Sequence, residues 1–275
     1  MTRQPHKRFT VVPQGGLGNR MRVIRSAYAL ALEAGADVRV AFAENGECHC
    51  RFEDVFAELY LPSGNFRISP AEWLDTPPSR RNLHLPQFAR KFFYGLQLDG
   101  FSASDKEKVL RVSAASQRVY ISTCYEFFGN TLEMSSLFKP SAAVNEAVEA
   151  FTGRFGSRTV GFHVRTTDNA PAVSKSPCSL FEEAARRELD AHPETFFFLA
   201  TDSNGVKRRF VSEFGSRVIT SDAELSRSSV KGMIAAAADM FALSHCAAVY
   251  GSHYSSFSEI AAELGGKCAK ILRLP

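Results

Sequence analysis

Phe9-Thr10-Val11-Val12 is a short run rich in β-branched residues that closes on Pro13. The glycine-rich stretch Gln14 to Arg20 interrupts it, and apolar positions then recur at helical spacing through Glu33 until Gly35 stops them. Asp37 to Phe42 returns to strand chemistry. That order predicts strand, glycine loop, helix and strand, the opening βαβ unit of a parallel sheet. From Arg51 to Ser116 the pattern loosens: Pro62, Pro70, Pro77, Pro78 and Pro86 break it, and Phe88, Phe92, Phe93 and Tyr94 add aromatic bulk. Short helices and loops are expected there. An isolated strand follows at Arg118 to Ser122, and Ser141 to Phe155 reads as a helix capped by Ser141 and placed to connect two domains.

The second half has a cleaner rhythm. Strands are expected at Arg158–Val164, Thr195–Ala200, Arg217–Ile219 and Ala247–Gly251, and helices at Ser179–Asp190, Ser203–Phe214 and Lys231–Ser244. A last helix opens near Ser255 and ends at Gly265-Gly266. This is a second doubly wound α/β unit. The pattern divides the chain into a Rossmann-like N-terminal domain, residues 1–156, and a second Rossmann-like domain, residues 157–275.

Composition fits two folded units, since 275 residues with 45% hydrophobic and 23% charged positions support a core in each half. Net charge is +4, with 33 Lys and Arg scattered along the chain. That dispersal favours small anionic ligands over a nucleic-acid track. Arg3, Lys7 and Arg8 read as a solvated tail. Six cysteines contain no CxxC pair, and Cys48-His49-Cys50 lacks a second ligand pair, so no metal site is expected. No apolar run approaches a membrane span and the N-terminus lacks a signal core, which together predict a cytoplasmic protein with reduced thiols.

Four segments carry candidate chemistry. In the loop Gly15-Gly16-Leu17-Gly18-Asn19-Arg20, missing β-carbons let backbone amides approach a phosphate or sugar hydroxyl at a helix start. It does not match a dinucleotide fingerprint, because Met21 stands where the third glycine belongs. His163 and Arg165 follow an apolar strand on one face, where a guanidinium fork can clamp a diphosphate and offset its departing charge. An ion pair of Arg165 with Asp168 is the competing structural reading. Asp202 and Ser203 lie just past a strand, where capping is as good an account as ligand contact. Asp239 sits on a helix preceding Gly251-Ser252-His253-Tyr254-Ser255-Ser256-Phe257, whose serines and free helix-start amides suit an anion.

These residues resemble the fucosyltransferase superfamily that joins α1,2-, α1,6- and protein-O-fucosyltransferases with the nodulation enzymes. Gly15 to Met21 is similar to the Gly-Gly-Leu-Gly-Asn-Gln-Met of bacterial α1,2 enzymes, with Arg20 in place of glutamine. His163-x-Arg165-x-x-Asp168 resembles His-x-Arg-Arg-x-Asp. Asp239, Leu243-Ser244 and Ser255-Ser256-Phe257-Ser258 resemble the third motif. The resemblance implies a GT-B fold with a cleft between two Rossmann-like domains, GDP-fucose as donor, a glycan acceptor, inversion, and neither metal nor other cofactor. It assigns the β-phosphate to Arg165, the donor site to His163, guanine to Asp239, and phosphate contact to Ser255 and Ser256.

The chain departs from the pattern twice. Thr166 replaces the second arginine, and residues Asn169 to Pro177 lack the glutamate proposed as base in α1,6 enzymes. The middle segment has no counterpart and is expected on the acceptor side. The departures keep a second reading open, a nucleotide-sugar-binding protein with weak or no turnover, because fold alone does not settle activity.

Overall fold

The computed structural model describes residues 7–59, 64–75, 87–103, 105–166, 174–223, 226 and 228–274. They form two compact units, Met1–Leu132 and Glu133–Pro275.

The first unit is a five-stranded parallel sheet in the order β3-β2-β1-β5-β4. Its elements are β1 (Arg8–Pro13), α1 (Leu17–Ala34), β2 (Asp37–Phe42), α2 (Phe52–Val55), β3 (Phe66–Pro70), α3 (Gln87–Arg90), β4 (Leu96–Asp99), α4 (Lys106–Ser113) and β5 (Arg118–Thr123). Val11 and Val12 of the central strand are fully buried, as a strand covered on both faces requires. Helix α1 ends where Gly35 adopts φ 59°, a left-handed turn that glycine takes without steric cost. Two strands run through the segment expected to hold only helices and loops. Both β3 and β4 are short and β3 ends in Pro70, which its edge position tolerates because no ladder bond is needed from that nitrogen.

The second unit repeats the architecture with strand order β10-β9-β6-β7-β8, again parallel throughout. It contains α5 (Met134–Leu137), α6 (Ala142–Thr152), β6 (Thr159–Val164), α7 (Cys178–Ala191), β7 (Phe196–Thr201), α8 (Asn204–Phe214), β8 (Val218–Thr220), α9 (Val230–Ser244), β9 (Ala248–Ser252), α10 (Ser256–Leu264) and β10 (Lys270–Leu272). Helix α6, expected as the connector, packs on α9 and is therefore part of this unit. Phe162, Phe181, Phe197, Phe210 and Phe214 form the core on one face of the sheet. Phe162 stacks on Tyr250 with centroids 5.2 Å apart. Gly251 lets α10 close onto β9, since a Cβ there would stand 2.1 Å from the Ser258 hydroxyl.

Candidate functional site

Strand order singles out one position in each sheet. The chain leaves β1 toward β2 on one side and toward β5 on the other, and leaves β6 toward β7 and then β9 in the same way. Crevices outside the carboxyl ends of strands at such reversals are where open α/β sheets bind ligands. The glycine loop follows β1, and His163 to Arg165 span the carboxyl end of β6, so both sequence-selected segments fall on a reversal point.

In the first unit, Gly15 adopts φ 80° and its amide donates to Glu47 Oε2 at 2.8 Å. Gly16 and Gly18 frame the start of α1, with Gly16 at its N-cap and no side-chain cap. Asn19 packs against Gly15, where a Cβ would meet Asn19 Nδ2 at 2.8 Å. Arg20 is turned inward. Its guanidinium is fully buried, donates to the carbonyls of Gly15 and Ala43 and to Asn45 Oδ1, and lies 4.8 Å from the Phe42 ring centroid. It braces the loop from beneath, so its effect on a ligand passes through the backbone it holds. That use was not visible in the sequence, because the Asn45 turn that receives it lies 25 residues on.

In the second unit the ends of β6, β7 and β9 converge. Ser252 Oγ donates to the His163 carbonyl at 3.3 Å and accepts from the Arg165 amide at 3.1 Å, joining β9 to the end of β6. Ser255 Oγ lies 3.2 Å from His163 Nδ1, and the imidazole stacks on Phe257 with centroids 4.5 Å apart at 22°. Ser255 and Ser256 open α10, yet Ser255 makes no side-chain cap, because its hydroxyl faces the histidine. Tyr254, beside them, holds φ 52° and is largely exposed, a strained backbone position for a non-glycine residue.

Thr166 donates both its amide, at 2.9 Å, and its hydroxyl, at 2.7 Å, to Asp202 Oδ1. Asp202 therefore orders the chain leaving β6, and the capping reading holds for its neighbour: Ser203 Oγ accepts from Val206 N at the start of α8. Asp168 lies outside the described residues, and so does any ion pair it makes with Arg165.

Asp239 is 1% exposed in the middle of α9, and among the described residues its Oδ1 has no hydrogen-bond partner. Burial pushes its carboxyl up to about 7, against the opposing pull of Lys207. Lys207 donates to the Ser221 carbonyl just past β8.

Cys48 and Cys50 place their sulfurs 3.6 Å apart, both buried, while His49 faces Glu44 at 3.3 Å. Among the described residues no three His, Cys, Asp or Glu side chains gather to hold a metal ion. Among them, too, no helix is long and apolar enough to cross a membrane.

No family model matches the chain, and no curated protein does. Solved structures do. NodZ α-1,6-fucosyltransferase soaked with GDP-fucose superposes with TM-score 0.62 at 17% identity, over 94% of this chain and 92% of that one. An Arabidopsis thaliana FUT1 mutant in complex with GDP gives 0.63 at 16%, over 100% and 72%. POFUT1 in complex with GDP gives 0.60 at 10%, over 98% of each chain. The chain has the α/β fold of these fucosyltransferases, two parallel-sheet units of GT-B type.

Proposed function

We propose that the protein is an inverting, metal-independent glycosyltransferase that moves fucose from GDP-fucose to a glycan hydroxyl. The observation that carries this reading is the meeting of Arg165, His163, Ser252, Ser255 and Phe257 at the reversal point of the second sheet, on a fold shared with fucosyltransferases. In it the second unit holds the donor. Arg165 and the first-turn amides of α10 receive the diphosphate and stabilise its charge as the sugar leaves. Asp239 accepts from the guanine edge, and Ser255 with Phe257 fixes the His163 ring beside the donor. The glycine loop of the first unit offers backbone amides to the donor, that unit otherwise serves the acceptor side, and the protein acts in the cytoplasm. GDP release from GDP-fucose, with and without acceptor glycans, tests turnover directly. No release with any acceptor, from protein that GDP stabilises against heat, would rule out the transferase.

One observation favours a second reading, a nucleotide-sugar-binding protein without turnover. Where many superfamily members carry a second arginine, Thr166 is neutral and committed to Asp202. GDP-fucose would then raise the melting temperature and remain intact.

A further inference from the structure

The first unit contains a cavity of about 560 Å³ that runs along β3 to the carboxyl ends of β2 and β3. Its volume lies within the roughly 300–1,000 Å³ usual for small-molecule sites. Its wall sets buried aromatic carbon, as at Phe42, against three carboxylates, Glu44, Glu53 and Glu58, and two guanidiniums, Arg51 and Arg67. Most of that charge is already matched: Glu44 faces His49, and Arg51 holds Asp54 at 3.0 Å and Glu53 at 3.4 Å. Glu58 and Arg67 are different. Both are exposed, and among the described residues neither side chain makes a hydrogen bond or ion pair.

One unengaged acceptor and one unengaged donor fork beside apolar carbon match a ligand that offers hydroxyls at its edges and C–H groups on its faces. With three acidic groups against two basic ones, the wall does not attract a diphosphate. Three residues beyond Pro70 stands Trp73, the chain's single tryptophan, 65% exposed. It is not on a loose turn. Asp75, fully buried, accepts from the Glu72 amide at 2.8 Å and the Tyr94 hydroxyl at 3.1 Å and pairs with Arg39, which fixes the turn while the indole faces solvent. An exposed ring on a pinned turn is a platform with little ordering cost.

We infer that this cavity is a binding site for a neutral saccharide, with Arg67 and Glu58 bonding its hydroxyls and Trp73 stacking beneath the sugar that leaves the mouth. Its identity as the acceptor site rests on the transferase reading; saccharide binding itself does not. Tryptophan emission reports on Trp73 alone, so the full chain is titrated with short neutral oligosaccharides and, in parallel, with sialylated and sulfated ones. A saturable change with a neutral member is expected, weakened about tenfold in Arg67→Ala and in Glu58→Gln, the scale of one charge-assisted hydrogen bond. The GDP-induced rise in melting temperature is expected to be unchanged in both variants. The inference is overturned if no oligosaccharide alters the emission, if both variants bind as the wild type does, or if only anionic saccharides bind. Should neutral saccharides bind while GDP fails to stabilise the wild type, the donor reading falls and the saccharide site stands.

Discussion

Ser255 Oγ and His163 Nδ1 lie 3.2 Å apart, so the residue at the start of α10 gives its hydroxyl to the end of β6 and not to its own helix. Ser203, at the start of α8, does the reverse and accepts from Val206 N. Different losses follow from the same substitution. Ser203→Ala is expected to cost about 1 kcal/mol of stability, the value of a helix cap. Ser255→Ala removes no cap and frees the imidazole to turn on Phe257; its expected signature is a loss of about tenfold in kcat/KM for GDP-fucose, which Ser255→Thr restores in part. Thermal melts and steady-state kinetics on both variants check the contrast.

Asp239 sets a pH dependence whose sign is fixed by its burial. Its folded-state pKa of about 7 lies above the roughly 3.9 of an unfolded aspartate, so the folded chain retains a proton that the unfolded chain gives up. The contribution to stability is complete below about 4 and is lost as pH rises toward 7. Asp239→Asn is expected to flatten that slope. GDP, whose guanine donors favour the charged carboxylate, is expected to stabilise the protein more at pH 8 than at pH 6. Melting curves from pH 4 to 8, with and without GDP, give both quantities, and equal affinity for GDP and UDP by calorimetry removes Asp239 from guanine recognition.

Arg20 is expected to matter to folding before it matters to any ligand. Arg20→Ala strands the Gly15 and Ala43 carbonyls and Asn45 Oδ1 in a buried site, at a cost of about 2–4 kcal/mol. Arg20→Lys recovers little, because one ammonium cannot reproduce a planar fork that reaches three acceptors. Urea unfolding checks both variants, and a stability equal to wild type in Arg20→Ala contradicts the bracing role.

The parallel alternation of the chain was readable because buried strands such as Thr159–Val164 and Phe196–Thr201 are nearly continuous in apolar residues. Segments β3, β4 and β10 were not, since three to five residues carrying Pro70, Asp99 or Lys270 hold no periodicity of their own and form only by adding to an existing edge. Site residues divided in the same way. His163 and Arg165 announce themselves by following an apolar run, whereas the Thr166–Asp202 link joins positions 36 residues apart and needs the sheet to bring β6 beside β7. The Glu47 contact to Gly15 was missed for the same reason.

Turnover is expected to survive chelation. The transferase reading gives the diphosphate charge to Arg165 and the α10 amides, groups that need no cation to act. Dialysis against EDTA followed by an assay of GDP release measures this, and loss of activity that manganese restores would show that the charge is handled by a metal.

Arg165→Ala is expected to lower kcat by about 100-fold or more, the scale of removing one preorganised group that stabilises transition-state charge. Its backbone position is secured independently of its side chain, because the Arg165 amide bonds Ser252 Oγ at 3.1 Å and Thr166 is tied to Asp202. Alanine therefore removes the guanidinium without releasing the strand end. Arg165→Lys is expected to recover little, since a point charge does not span two phosphate oxygens as a planar fork does. A purely structural Arg165–Asp168 pair predicts another pattern: Arg165→Ala and Asp168→Ala would each lower the melting temperature, and turnover per folded molecule would persist. Kinetics and melting measured on the same preparations separate the two, and near-normal turnover in folded Arg165→Ala ends the catalytic assignment.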